Sequence, residues 1–540
     1  MKKIMILASF VFSTSLMAQN LDPTVEVSRE YQGKIMEVHK PALEMSVPDT
    51  LHRFDLEFDY SVFENPYRGS YEFSPYFMEM RPSPSVGTRK TFYLRAGAGY
   101  TLYPTLDVLW SPFKKNAFSM DLYAVHRSYI GEYRPVGQQP AWNGYDMLTK
   151  VGADFGYDWK KAVIDFGASY YGVADKDYRG CRSYNALDAY VALKSKSVWS
   201  KSFVYDVSLK YRLGEDSYAH LNEHDLRVDA TFGPEFDKRG KVLFDIGAEL
   251  VSYDDAMTST AGRFCIIPRY LYEKGVLELD LGVRLSAIAS SGPSFRTRGQ
   301  IVYPDIHMGL AVIPKALRLY AHIGGGERLE TYSDLLARNH HLDLGYGIGG
   351  ASPLMDVTVE RISAVLGLSG RITNFFSYDL CAGYVNYKNA LLDAAIETEG
   401  GLVIPVVGYS PYQKTYASLD CSLGLQNFRV DGNVRYVHTS GIDGDHMLAP
   451  SSFDGNMAIV YDWKKRISVG LDCDFASERK SVSGFVMPWY ADLGVNAEYA
   501  VNRKLSFWLR GGNLLNMEIQ RNLFFAEKGI NFTAGICLSI

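Results

Sequence analysis

Residues 203–213, FVYDVSLKYRL, alternate strictly between two kinds of side chain. One set is apolar or aromatic, and the other contains Asp206, Lys210 and Arg212. Successive side chains of a β-strand point to opposite faces, so this stretch has one apolar face and one polar face. Residues 277–285, LELDLGVRL, repeat the pattern. Both stretches therefore predict strands that separate an apolar environment from water.

The same pattern returns along most of the chain. Between residues 91 and 540 short turns are followed by apolar-x-apolar-Asp or a close variant. We can place ten tight turns, and each joins two strands. A first strand near residues 91–99 and a last strand near residues 530–540 bring the count to about 22, with a margin of about two. This sustained alternation predicts an all-β fold, namely a transmembrane antiparallel β-barrel.

The two ends of the predicted barrel differ. The tight turns lie at one end, and longer polar loops, such as residues 175–183 and 439–450, lie at the other. Residues 391–406 read as irregular. Trp159 and Trp463 each stand beside Lys at a tight turn, which suits an aromatic girdle at a membrane interface.

The N-terminal residues predict export. Lys2 and Lys3 precede an apolar stretch, and small residues lead up to a cleavage point after Ala18. We therefore divide the chain into a signal peptide, residues 1–18, a periplasmic or lumen segment, residues 19–90, and the barrel, residues 91–540. The predicted location is the cell outer membrane, with its lipid as a partner.

Charge and composition exclude several functions. The 56 Lys and Arg residues balance 61 Asp and Glu residues and form no basic patch, so we expect no nucleic-acid partner. No nucleophile with a base, and no cofactor motif, can be assigned, so we expect neither an enzyme nor a bound cofactor. His340 and His341 are adjacent, but spacing places no third ligand beside them. We therefore predict no metal site and interpret both as solvated loop histidines.

Eight aspartates recur on the polar face, each a few residues after a turn. In a barrel they would form an acidic ring low in the lumen: Asp121, Asp165, Asp206, Asp245, Asp280, Asp379, Asp431 and Asp472. One interpretation is a cation-favouring constriction or a docking ring for a partner segment. The alternative is a hydrated wall in which they pair with four lumen arginines: Arg212, Arg284, Arg429 and Arg435.

Three segments resemble a known family. Residues 93–100, YLRAGAGY, are similar to the opening hairpin of TonB-dependent receptor-like barrels of Bacteroidetes, and residues 510–516, RGGNLLN, to the segment before their last strands. A third patch, around residues 360–379, lies between them. The resemblance implies an outer-membrane barrel for the binding or porin-like passage of solutes. Receptors of the family carry a full globular plug, and residues 19–90 are shorter, so we expect a barrel without a full-length plug.

Two partners remain open at this stage. Residues 24–28, TVEVS, are similar to the short segment with which such receptors bind TonB, so TonB is a candidate partner. The alternative function is a non-transporting structural barrel that belongs to a larger envelope assembly. Its partner would be a periplasmic or outer-membrane lipoprotein.

The N-terminal segment yields a first prediction. A barrel of about 22 strands leaks if its lumen is empty. Deleting residues 19–85 while keeping the signal peptide should raise permeability to large antibiotics without abolishing membrane insertion. Susceptibility tests on cells that express the two forms measure this. Unchanged susceptibility would mean that the segment does not occupy the lumen.

Overall fold

The described part of the chain forms one closed sheet. The computed structural model describes residues 91–540 apart from 101, 116, 134–135, 137–141, 178–179, 197–202, 238–239, 343–354 and 398–402. Within these residues, 22 strands form a single antiparallel sheet, and the first strand pairs with the last. The predicted all-β barrel and its strand count are confirmed. The predicted signal peptide and the segment 19–90 lie outside the described residues.

The strands follow one another around the barrel in chain order, except that a small separate hairpin, β20–β21, interrupts the series between β19 and β22. In the described part of the connection between β13 and β14 lies a short helix, α1. The elements are β1 Phe92–Gly99, β2 Thr105–Lys115, β3 Phe118–Tyr133, β4 Trp142–Asp158, β5 Ala162–Asp177, β6 Gly180–Ser195, β7 Phe203–Asp216, β8 Leu221–Asp237, β9 Gly240–Asp255, β10 Ser259–Lys274, β11 Leu277–Ser291, β12 Gly299–Ile313, β13 Leu317–Leu329, α1 Tyr332–Arg338, β14 Val357–Ile372, β15 Phe376–Glu397, β16 Val403–Gly424, β17 Phe428–Ser440, β18 Phe453–Trp463, β19 Ile467–Ala476, β20 Arg479–Lys480, β21 Val486–Met487, β22 Tyr490–Ala500, β23 Leu505–Gly512 and β24 Asn531–Ser539.

The outer face of the barrel is apolar and exposed. Leu209 in β7 is 43% exposed and Leu281 in β11 is 42% exposed, although a soluble protein would bury them. Large apolar side chains with this exposure recur on strand after strand. This surface suits the hydrocarbon of a bilayer, as the alternation predicted. Among the described residues, no helix has the length and apolarity to cross a membrane.

The ends of the barrel differ as expected. At the turn end, strands reverse through tight turns in which Lys315, Thr373, Lys464 and Lys465 have positive φ angles between 51° and 65°. Positive φ at two successive residues, as at Lys464 and Lys465, matches the twist of a hairpin. The long connections lie at the other end, the loop end. By the general rule for such barrels, the turn end faces the periplasm and the loop end faces outside.

Two details of the loop-end prediction are wrong. Residues 175–183 are not a long loop, because β5 continues to Asp177 and β6 starts at Gly180. The predicted irregular stretch, residues 391–406, belongs largely to β15 and β16, the two longest strands at 22 residues each. Strands that extend beyond the apolar band lose their two-sided alternation, and the sequence then resembles a loop.

The seam that closes the barrel is covered by one aromatic ring. Gly97 of β1 pairs with Gly535 of β24. A Cβ added at Gly97 would lie 2.4 Å from the ring of Trp508, and one at Gly535 would lie 2.7 Å from it. The guanidinium of Arg95 stacks over the same ring at 4.4 Å. Glycine at both positions therefore lets Trp508 of β23 lie flat across the joint.

The face assignment predicts opposite results at adjacent positions. Leu209→Arg places a charge on the lipid face in the middle of β7, which costs about 2–4 kcal/mol near the bilayer midplane. Ser208→Arg places the same side chain on the lumen side and should be tolerated. Heat-modifiable gel migration of the two purified variants measures the folded fraction. Equal folding of both would contradict the assignment.

Candidate functional site

The predicted acidic ring lies near the turn end. The odd-numbered strands of the barrel begin at the turn end. Six of the eight aspartates are the fourth residue of such a strand, as Asp206 is in β7 and Asp280 in β11. Neighbouring members therefore lie two or more strands apart, at least about 10 Å at the usual strand spacing. Asp245 and Asp280 are joined by a shared partner, Arg269, whose guanidinium nitrogens lie 2.7 and 3.0 Å from their carboxylates.

Most of the other members have partners on neighbouring strands. Lys194 lies 3.1 Å from Asp206. The Tyr320 hydroxyl donates to Asp379 at 2.6 Å, and Asn496 donates to Asp472 at 3.1 Å. Asp431 accepts from Ser422 at 2.7 Å and from Arg429 at 2.5 Å. Asp121 is buried and Asp165 is half-buried. The carboxylates thus lie in separate small networks along the wall and do not converge on one point.

The predicted basic residues also have acidic partners, although mostly not in the ring. Arg212 makes a two-pronged contact with Asp188, at 2.6 and 3.0 Å. Arg435 lies 3.0 Å from Asp454, and Arg284 lies 3.6 Å from Asp305. Of the four arginines, only Arg429 contacts a ring aspartate. The two predicted girdle residues, Trp159 and Trp463, are 52% and 51% exposed at the turn end.

The main internal feature lies at the loop end and was not predicted. Residues 330–342, here called the roof segment, leave β13 and fold inward. Thr331 caps α1 by accepting the amide of Asp334, at 3.3 Å. Leu335 of α1 is fully buried, and Leu336 is nearly so. The helix therefore turns its apolar side toward the barrel wall and not toward solvent.

The apolar contacts of the roof segment reach distant strands. Leu335 and Leu336 belong to a buried cluster that includes Tyr184 of β6, Tyr253 of β9 and Phe295 of the β11–β12 loop. Tyr253 and Phe295 stack at 6.2 Å. Burial of a leucine of this kind contributes roughly 1.5–3 kcal/mol, so the cluster is a substantial core inside the barrel mouth.

A buried carboxylate anchors the start of the helix. Glu223 of β8, 1% exposed, accepts hydrogen bonds from the Tyr184 hydroxyl at 2.6 Å, the Tyr253 hydroxyl at 3.2 Å and the Ser333 hydroxyl at 3.2 Å. The Tyr253 hydroxyl in turn accepts the amide of Tyr332 at 3.0 Å. A buried carboxyl group is tolerated only when it is hydrogen-bonded in this way. Glu223 thereby ties the roof segment to three strands.

Ion pairs hold the helix on both sides. Asp334 lies 3.4 Å from Arg227 of β8. Arg338, in the last turn, lies 3.2 Å from Asp393 of β15. Asp393 also contacts Arg479 of the β20–β21 hairpin, at 2.9 Å. The roof segment and this hairpin are thus fastened to one carboxylate.

The end of the roof segment reaches nearly across the barrel. His340 Nε2 lies 3.4 Å from Asp146 of β4, which is nine positions from β13 in the ring of 22 strands. Arg182 of β6 donates to the carbonyl of Leu342. His341 stacks on Phe525 of the β23–β24 loop, with centroids 3.8 Å apart. The expectation of solvated histidines is wrong, because His340 is 7% and His341 is 6% exposed.

The electrostatics of His340 favour its charged form. Burial lowers the pKa of His340, but the charge of Asp146 and its hydrogen bond to the imidazole raise it. The result is a pKa above the ordinary value for histidine. Glu223, Asp146 and Asp393 had no distinguishing sequence signal. The one feature these three residues share is that each lies close to the loop end of its strand.

Comparisons with known proteins agree with the fold. No protein-family model matches the chain, and no curated protein sequence matches it. Among solved structures, the copper transporter OprC is similar with a TM-score of 0.64 at 11% identity, over 85% of this chain and 81% of that one. The FrpB iron transporter from Neisseria meningitidis (F5-1 variant) gives a TM-score of 0.65 at 10% identity, over 84% and 83%. The siderophore receptor PirA from Acinetobacter baumannii gives 0.61 at 11%, over 83% and 80%.

At these identities the likeness is one of fold. The chain has the architecture of the 22-stranded outer-membrane receptor barrels, and its apolar exterior agrees with that architecture. It is therefore an outer-membrane β-barrel, as the sequence predicted. The expectations of an origin in Bacteroidetes and of a missing full-length plug stay predictions.

The buried helix of the roof segment predicts a local stability effect. Leu335→Ala removes side-chain packing worth about 2–5 kcal/mol from the inner cluster. The backbone amides of residues 332–338 should then exchange with deuterium faster, while those of the wall strands change little. Leu319→Ala, on the exposed lipid face, is the matched control. Equal exchange of the helix in both variants would show that the roof segment does not depend on this contact.

Proposed function

We propose that this protein is a transport barrel that binds solutes and passes them across the outer membrane, with the roof segment as its closure at the outer end. The observation that carries the proposal is the roof segment itself. It spans from β13 to β4 across the barrel mouth and is fastened by a few separate polar contacts. The roof segment is held by side-chain contacts and not by strand pairing, so it can be displaced without opening the barrel wall, as a closure for transport requires.

The lumen wall supports passage of polar solutes. Charged side chains of the wall are held in pairs, as with Arg212 and Asp188 or Arg435 and Asp454, so the wall offers polar groups to a solute. The similar structures are those of a copper transporter, an iron transporter and a siderophore receptor. These names support transport as the class of function. They do not assign a solute to this chain.

Opening of the roof segment requires that several contacts break together. Its apolar cluster, the Glu223 network and the Arg338–Asp393 pair act on one short helix. We infer that a solute or a mechanical input displaces the helix as a unit. TonB, which the sequence resemblance suggests, would be the source of such an input.

The experiment compares conductance with and without the roof segment. Residues 330–356 are replaced by a short Gly/Ser linker in a form that also lacks residues 19–85, so that the N-terminal segment cannot fill the lumen. This variant and the form that lacks only residues 19–85 are inserted into planar bilayers in potassium chloride. We expect larger and more stable conductance without the roof segment than with it, because the closure at the outer end is gone. Heat-modifiable migration confirms that the variant is folded.

The outcomes separate the two functional classes. Silence of both folded proteins would contradict transport through the lumen. If the protein without conductance also co-purifies stably with a lipoprotein, this supports the alternative of a structural barrel in an envelope assembly. For energy coupling, uptake of a solute identified by growth screening is compared in cells with and without TonB. Equal uptake in both would exclude TonB as the source of energy.

A further inference from the structure

The end of the roof segment brings a histidine to two aspartates of the wall. His341 meets Asp175 and Asp177 of β5, and one potential ligand atom from each lies within 4.8 Å of the others. All three side chains are buried, with Asp175 3%, Asp177 4% and His341 6% exposed. His341 is more than 160 positions from the two aspartates in sequence, so only the folded roof segment assembles the group.

The distances suit ligands around one ion. His341 Nδ1 lies 3.8 Å from a carboxylate oxygen of Asp175, which is beyond hydrogen-bond range. Ligand atoms at about 2.1 Å from a tetrahedral metal ion are about 3.4 Å apart. Loading the site would therefore draw these two atoms together by only a few tenths of an ångström. The pair is already close to the spacing of two ligands.

The neighbouring charged groups leave a definite ligand set. Asp175 and Asp177 lie on one face of β5, and Asp146 of β4 lies beside Asp175 in the strand register. His340 is occupied with Asp146, with its Nε2 3.4 Å from that carboxylate. Arg182 is directed to the carbonyl of Leu342. The ligands of the proposed site are therefore the carboxylates of Asp175 and Asp177 and the imidazole of His341.

Aromatic packing orients the histidine. The His341 ring lies parallel to Phe525, at an interplanar angle of 3°. Phe525 packs edge-on against Trp142, and Trp142 stacks on Tyr133. Packing of this kind fixes the imidazole plane in the way that supporting contacts orient metal ligands.

We propose that Asp175, Asp177 and His341 bind one divalent transition-metal ion, which clamps the roof segment to β5. An imidazole with two carboxylates fits Zn²⁺, Mn²⁺ or Fe²⁺ better than Mg²⁺ or Ca²⁺, which prefer all-oxygen ligands. The clamp adds a strong bond to the part of the roof segment that is farthest from β13. The proposal rests on these residues and holds whether or not the barrel transports a solute.

A second His and Asp group is a weaker candidate. Asp305, His307 and His322 also lie within 4.8 Å of one another, on β12 and β13. Asp305, however, is held by Arg269 at 3.5 Å and Arg284 at 3.6 Å. Two guanidinium groups beside the same carboxylate oppose a metal cation. This group therefore serves as the comparison site.

The test uses the full-length barrel in detergent, treated with a chelator and then dialysed. Isothermal titration with Zn²⁺ should show one site per chain, and titration with Mg²⁺ should show none. Asp177→Asn and His341→Gln should each weaken Zn²⁺ binding at least about tenfold, a loss seen even for residues that only support ligands. His438→Gln, at an exposed histidine of β17, and His322→Gln, in the comparison site, should leave it unchanged.

A second measurement tests whether the bound ion fastens the roof segment to β5. Zn²⁺ should slow trypsin cleavage after Arg338 in the wild type but not in Asp177→Asn, with fragments identified by mass. Heat-modifiable migration shows that each variant is folded. Absence of Zn²⁺ binding by the wild type would overturn the proposal. So would binding that both site variants retain, or binding that His322→Gln alone removes.

Discussion

Every backbone polar group of a sheet in the bilayer must find its partner inside the sheet, because lipid offers no hydrogen bonds. This constraint explains why β1 must pair with β24, and why the joint is built from Gly97, Gly535 and the covering ring of Trp508. It also explains the uninterrupted ladder from strand to strand. Closure with 22 strands then leads to a wide interior, and the remaining features of the protein concern how that interior is occupied.

The charged side chains on the wall of a wide lumen need partners. Side chains that alternate with the lipid face point into the lumen, and there they are partly screened from water. The structure meets this by pairing charges across adjacent strands, as Arg269 does with Asp245 and Asp280. An unpaired charge in such a setting would cost several kcal/mol, whereas a paired one is nearly neutral in free energy. Six of the eight regular aspartates thus lie in local networks with nearby donors.

The sequence predicts what is periodic and local. Alternation along β7 and β11 identifies the two faces, and turn residues such as Lys464 and Lys465 mark the ends of strands. The roof segment has neither property. Its helix has only seven residues, and its partners, such as Glu223 and Asp146, are more than one hundred positions away. A contact of that kind becomes visible only when the barrel brings β4, β8 and β13 around one mouth.

The roof segment also shows how a short helix is held in place without long secondary structure. Seven residues are too few for a helix to be stable alone. Its order derives from the apolar cluster beneath Leu335, from Glu223 at its start and from Arg338 at its end. These contacts are made to different strands, so none of them alone determines its position. All of these contacts are made by side chains, and none of them belongs to the strand ladder. Under the proposed function, the helix can therefore leave the wall as a unit without disturbing the ladder, whereas the strands cannot separate in lipid. The movable element then lies at the loop end, where water can replace the lost hydrogen bonds.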